Sequence, residues 1–303
     1  MSPGRRPNAS DAVIERVFIE PGERRQAMLD VITGARQRLV LSLFRCNDFG
    51  VLDALAAALE RGVKVEAILT KRAKGGRKRL RKLWESLEEM GAVVHHFADP
   101  VVKYHGKYLV ADGNTAVVAT LNPTKKCFSR TWDFVLTTNE REVVRSLSTL
   151  FALDAAGRRV LPRHKISGRL IIGPEGARAR MRMLLSSARH SIRILDHKLS
   201  DPDLVALLRE RREEGIAISA IGHQPIGPLA PHGKLLIIDE SVAVLGSMAL
   251  SALSLDFRRE VSIVIEAPAI VRKLNRFYQD LSGKAGASIT VLPGDRARGV
   301  VLA

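Results

Sequence analysis

The chain has 303 residues, 46% of them hydrophobic but only 5% aromatic, and a formal charge of +16 from 48 Lys and Arg against 32 Asp and Glu. That is enough apolar mass for one large domain or two ordinary ones with an aliphatic core, and the charge favours polyanions such as nucleic acid, anionic lipid headgroups or phosphorylated substrates. Two cysteines, Cys46 and Cys127, make neither a disulfide framework nor a metal-binding spacing and fit a reducing compartment. The N-terminus lacks the apolar run of a signal peptide, and the longest apolar-leaning run, 242–255, is too short and too rich in Gly and Ser to span a bilayer. The expectation is a cytoplasmic protein, soluble or peripheral at a membrane surface.

In chain order, a short strand near 17–19 precedes an amphipathic helix and a second strand at 39–44. A helix over 51–61 ends at Gly62, which suits a left-handed C-cap, and a strand follows at once. Residues 71–82, "KRAKGGRKRLRK", hold eight basic residues in twelve and lead into a helix with Leu80, Leu83, Trp84 and Leu87 on one face. Basic residues at a helix start oppose its dipole, so the run suits either a polyanion grip or a solvated face. Trp84 reads as core. His95 and His96 are neighbours on a strand, point to opposite faces and make no metal site. Then comes "YHGKYLVAD" (104–112), a tight turn at Asp-Gly-Asn, the strand "TAVVATLN" (115–122), and "SRTWDFVL" (129–136). A polar, Pro-containing stretch at 161–167 is the expected junction.

Beyond it the pattern starts again. Pro21 matches Pro174 and Ala35 matches Ala188, both offset by 153; His105 matches His232 and Asp133 matches Glu260, both offset by 127. The second copy is therefore 26 residues shorter (153 − 127), the loss falling in the basic stretch and the helix before His105. Strands and helices alternate in each half, which predicts two similar α/β lobes, 1–160 and 161–303, related by a pseudo-twofold axis with a site between them.

"HGKYLVAD" (105–112) and "HGKLLIID" (232–239) share one frame. On a strand, His105 and Lys107 point the same way, as do His232 and Lys234. Two such pairs facing each other suit a phosphodiester. The lysines hold its anionic oxygens and balance developing charge, one neutral histidine attacks phosphorus, and the other, protonated, donates to the leaving oxygen. One copy could attack or protonate; two do both, and the lysine charge makes a metal or other cofactor unnecessary. His164, His190, His197 and His223 show no ligand spacing and receive no role.

These residues resemble the phospholipase D superfamily, whose signature is H-x-K-x4-D followed by G-[GS]-x-N, and the resemblance runs through both repeats. It implies a catalytic group of His105, Lys107, Asp112, His232, Lys234 and Asp239, with one histidine becoming a phosphohistidine and the two aspartates supporting the site structurally. It implies substrate contacts from Thr120, Asn122 and Ser247. Ala119 stands where the family has Gly, and Ala249 where it commonly has Asn, which removes one phosphate-binding amide. An acid at Asp133 or Glu260 resembles those that orient a motif histidine. Two complete motifs in one chain fit a phospholipase D-type phosphodiesterase or phosphatidyltransferase acting on glycerophospholipids, cardiolipin-synthase-like enzymes included, working as a monomer. A metal-independent nuclease binding nucleic acid through its basic surface and a non-catalytic polyanion-binding protein are the alternatives.

Overall fold

The computed structural model describes residues 12–70, 76–222 and 226–285. The first half runs β1 (Glu15–Phe18), α1 (Pro21–Gly34), β2 (Arg38–Ser42), α2 (Phe49–Glu60), β3 (Lys64–Thr70), α3 (Arg77–Glu89), β4 (Val93–Phe97), β5 (Lys103–Tyr104), β6 (Tyr108–Ala111), β7 (Thr115–Ala119), α4 (Lys125–Ser129), β8 (Thr131–Trp132), β9 (Val135–Thr138) and α5 (Arg141–Ala155). The second runs β10 (Leu170–Ile172), α6 (Ala177–Ser186), β11 (Ser191–Leu195), α7 (Pro202–Glu213), β12 (Ala217–Ile221), β13 (Ala230–Pro231), β14 (Leu235–Ile238), β15 (Val242–Gly246), α8 (Ala252–Phe257), β16 (Arg258–Arg259), β17 (Val261–Ile265) and α9 (Pro268–Ala285). No helix among the described residues is long and apolar enough to cross a membrane.

The duplication is legible in the sheets. One has the order β1-β9-β7-β6-β2-β3-β4 and the other β10-β17-β15-β14-β11-β12, so the two coincide once β4 is removed. Pairing is parallel for β2-β3, β3-β4 and β11-β12 and antiparallel elsewhere in both sheets. The piece missing from the second half is thus a helix and a strand, α3 and β4, rather than the helix alone. Local signals repeat as well. Asp48 caps α2 by accepting from the Val51 N–H, and Asp201 caps α7 by accepting from the Leu204 N–H. Gly62 and Gly215 close the same two helices at positive φ, 82° and 92°.

The inner strands of both sheets are buried on both faces, which is why they read as nearly continuous aliphatic runs. Helices α1, α2 and α3 pack on the outer face of the first sheet through Ile32, Leu55 and Leu83 against Leu39, Leu41 and Val65. Helices α6 and α7 cover the second through Leu185 and Leu208 against Ile192 and Leu236. Between the sheets, α5 and α9 join one central cluster that includes Val118, Leu136, Leu147, Leu245, Ile263 and Leu274.

Two short ribbons cross from one half to the other. β5 pairs in parallel with β16, Tyr104 opposite Arg259, and β8 pairs in parallel with β13, Trp132 opposite Pro231. Arg259 ties the first crossing down. Its Nε lies 2.9 Å from Asp154 on α5, while Nη1 donates to the Gly173 carbonyl at 2.7 Å and Nη2 to Glu175 at 2.9 Å in the second half. This corrects the expectation that His-x-Lys lies on a strand. Residues 105–107 and 232–234 are irregular, falling between β5 and β6 and between β13 and β14, because the chain leaves its own sheet there to reach the opposite half.

Candidate active site

The register of the crossings decides which residues meet. The residue after Tyr104 is His105 and the residue after Arg259 is Glu260; the residue after Trp132 is Asp133 and the residue after Pro231 is His232. Each histidine therefore meets the acid of the other repeat. His232 Nδ1 lies 3.0 Å from both oxygens of Asp133, and His105 Nδ1 lies 2.5 Å from Glu260 Oε1. The second contact is close, but the ring N–H is not aligned with that oxygen for a regular hydrogen bond. The His105 N–H donates to the Arg259 carbonyl and the Gly233 N–H to the Trp132 carbonyl, so the same crossings hold the histidine backbones. Gly233 is required there, since a Cβ would stand 2.9 Å from the Phe134 ring and 3.0 Å from the Trp132 carbonyl.

The lysines fold back over their own motifs. Lys107 Nζ donates to the His105 carbonyl at 2.9 Å and sits 3.1–3.2 Å from the His105 ring nitrogens, and Lys234 Nζ donates to the His232 carbonyl at 2.7 Å. Burial, together with the nearby charges of Lys107, Arg258, Lys234 and Lys198, holds His105 well below the usual histidine range, so it is neutral at pH 7. Burial also brings Lys107 down to about 7, against the pull of Glu260 and with the push of Lys234 and Arg258. Burial raises Glu260, which Lys107 only partly offsets.

Asp133 is differently supported. Burial alone would raise it, but His232 and the hydroxyls of Thr120 and Thr131, each donating at 2.6 Å, hold it below the ordinary aspartate value. The buried Arg24 adds charge at 3.8 Å and anchors itself on the Thr131 carbonyl at 2.8 Å. An ionised, fully engaged carboxylate beside Nδ1 fixes the orientation and tautomer of the His232 ring. Glu260 takes a hydrogen bond from Ser254, whose oxygen accepts from the Ala249 N–H at 2.9 Å. Donor atoms of Cys127, Asp133 and His232 lie within 4.8 Å of one another, a spacing a metal could use. Both Asp133 oxygens are already engaged, however, and burial raises the Cys127 thiol, so the trio fits a hydrogen-bond network better than a metal centre.

Several expectations change. Asp112 and Asp239, grouped with the catalytic residues on sequence, stand at the far ends of β6 and β14. Their carboxylates accept from the N–H groups of Arg36, Gln37 and Arg38, and of Arg189, His190 and Ser191. They close turns at positive φ, 52° and 49°, and do not touch His105 or His232. Thr120 and Ser247, expected to contact substrate, turn inward. Thr120 donates to Asp133, and Ser247 exchanges hydrogen bonds with the Val261 backbone. Asn122 remains available, its Oδ1 buried without a hydrogen-bond partner. Ala249 is 1% exposed and closed off rather than facing a ligand.

The site also contains residues that the motifs did not point to. Phe44, past the end of β2, packs edge-on to His105 with ring centroids 4.8 Å apart, and His197, past the end of β11, stacks on His232 at 5.5 Å. His197 thus has a place in the site that its spacing did not suggest, while His223 lies outside the described residues. Lys198 and Arg258 add charge around His105. The 153 offset aligns Phe44 with His197 and Arg45 with Lys198, and that alignment was the available signal.

Residues 28–154 match the family described as cardiolipin synthase, phospholipase D-like domain. The fold is similar to that of phosphatidylserine synthase from Haemophilus influenzae Rd KW20, with TM-score 0.69 and 13% identity over 90% of this chain and 87% of that one. It is also similar to polyphosphate kinase from Porphyromonas gingivalis, with TM-score 0.73 and 15% identity over 88% of this chain; the chain spans only 46% of the kinase's length. No curated protein sequence matches the chain.

Proposed function

We propose that this chain, whose residues 28–154 match a phospholipase D-like domain family, cleaves or transfers phosphodiesters of glycerophospholipids through a phosphohistidine on His105, with His232 as general acid and base. The observation that carries this reading is the crossed pairing, His105 with Glu260 and His232 with Asp133, in one cation-lined site. His105, kept neutral by burial and surrounding cations, has a lone pair for phosphorus. His232, backed by an ionised Asp133, protonates the departing alkoxide. His232 then takes a proton from water or an alcohol, which attacks the phosphohistidine and frees His105. Lys107 and Lys234 neutralise the non-bridging oxygens, and Asn122 offers its amide to the same group.

The description of the family matched by residues 28–154 favours a lipid over a nucleic acid. Assaying a panel of glycerophospholipids and plasmid DNA, both in EDTA, tests this. Turnover of a lipid in chelator is the expected result. Cleavage of DNA alone would replace the lipid reading with the nuclease one, and activity only with an added metal ion would overturn the mechanism.

A further inference from the structure

The two acids that meet the histidines are not held alike. Behind Asp133 stands Arg24 on α1, and both side chains are wholly buried. Arg24 Nη2 donates to the Thr131 carbonyl at 2.8 Å, while Nη1 lies 3.8 Å from Asp133 Oδ2, in ion-pair range but too far for a hydrogen bond. Nε and Nη1 have no hydrogen-bond partner. Burying a charge in this way is costly unless an opposite charge offsets it, and Asp133 is that charge. By the 153 offset the equivalent residue in the second half is Ala177, which is also fully buried. The shared frame thus packs around an alanine at this position and does not require a guanidinium. Glu260 receives no cation from α6, and the guanidinium beside it, Arg258 at 3.6 Å, comes from its own crossing strand.

We propose that Arg24 is a positioning residue that assigns the alcohol proton to His232: by holding Asp133 and Thr131 it keeps a fixed, charged acceptor against His232 Nδ1 and reserves Nε2 for the proton exchanged with substrate. The inference rests on the reading of His232 as general acid and base. The groups around Asp133 come from five places. Thr120 follows β7, Thr131 lies on β8, Cys127 on α4, Arg24 on α1, and His232 belongs to the other half. The hydroxyls and the buried thiol are uncharged, so among the described residues Arg24 is the guanidinium or ammonium in ion-pair range of this carboxylate. Without it, burial favours the protonated acid, and a protonated acid no longer requires the ring proton to stay on Nδ1. His105 attacks with a lone pair and needs no such support, which fits Ala177 in the other half.

Nitrogen-15 NMR of the full chain labelled in histidine tests this without turnover, the His232 signals being assigned by their loss in His232→Asn. The neutral wild-type ring is expected to carry its proton on Nδ1. Arg24→Met, which keeps the bulk of the side chain without its charge, is expected to give mixed tautomers, and Arg24→Lys, which restores a charge, to recover part of the preference. In single-turnover assays Arg24→Met should slow release of an alkyl alcohol about ten- to hundredfold, part of the usual value of a general acid. Release of 4-nitrophenol, which needs no proton to leave, should slow by less than about threefold, since the acid has little to contribute there. A wild-type ring protonated on Nε2, an unchanged tautomer in folded Arg24→Met, or equal slowing of both leaving groups would each overturn the assignment. Failure of Arg24→Met and Arg24→Lys alike to fold would make Arg24 a residue of the fold and overturn it too. A tautomer change in Arg24→Met with no phosphodiester turned over by the wild type would instead sink the catalytic reading and leave the positioning role standing.

Discussion

Asp133 belongs to the first repeat and His232 to the second, yet His232 Nδ1 lies 3.0 Å from both Asp133 oxygens. Neither half could orient its own histidine alone. The acid of each repeat lies against the histidine of the other.

Asp133→Asn keeps the shape but removes the carboxylate that orients the His232 ring and faces its Nδ1. Turnover is expected to fall on the order of 10²–10⁴-fold, with the fold intact by circular dichroism. Because the folded Asp133 value lies below the unfolded one of about 3.9, its stabilising contribution is full above that pH and is lost as pH falls through the folded value. The stability difference between wild type and variant, measured by urea unfolding, should shrink as pH drops below about 4.

Binding should depend on pH if the substrate phosphate is held, as proposed, by Lys107. Its free-site value of about 7 means that the ammonium is half deprotonated near neutrality. A bound phosphate stabilises the charged form, so binding takes up a proton above that pH. The affinity for ethyl phosphate is expected to fall as pH rises from about 7 to 9, and Lys107→Arg, always charged, should flatten that dependence.

Gly246 and Ala119 are equivalent by the 127 offset but not interchangeable. At Gly246, φ is 157° and a Cβ would lie 2.3 Å from the Val261 carbonyl and 2.4 Å from the Ser262 Cα. Gly246→Ala should destabilise the protein by about 1–3 kcal/mol or more, whereas Ala119→Gly should cost only about 0.5–1 kcal/mol. Thermal unfolding of the two variants checks the contrast.

The basic run has no full counterpart in the second half. Lys71, Arg72 and Lys74 lie outside the described residues, while Arg77, Lys78 and Arg79 are exposed on the first turn of α3. Neutralising all six should weaken binding to anionic vesicles and its salt dependence, screened over a Debye length of about 8 Å, and leave turnover of a small soluble phosphodiester unchanged. Identical vesicle binding at low salt would make the run a solvated face.

The sequence made the repeat, the motif pair, the length difference and the α/β alternation legible, because each rests on local pattern or on self-comparison. It did not show the crossed pairing. That pairing depends on two-residue ribbons, β5 with β16 and β8 with β13, whose partners are about a hundred residues or more apart and carry no periodicity. The direction of hydroxyls was equally hidden. Thr120 and Ser247 have the right identity for a ligand contact, but the buried Asp133 carboxylate and the Val261 backbone claim them first. Asp112 and Asp239 sit in the motif because a turn at positive φ needs a short acceptor, which the spacing alone could not distinguish from chemistry. Phe44 and His197 matter through stacking, a contact that no motif encodes.

The central claim is a covalent intermediate on one particular histidine. Rapid acid and base quenching of wild type, His105→Ala and His232→Ala during turnover of a phosphodiester radiolabelled in the retained phosphoryl group measures it directly. The account predicts label in the wild type that is lost in acid and kept in base and maps to His105, none in His105→Ala, and label that accumulates without turning over in His232→Ala when the substrate has a good leaving group. Label on His232, or near-normal turnover by His105→Ala, would contradict it.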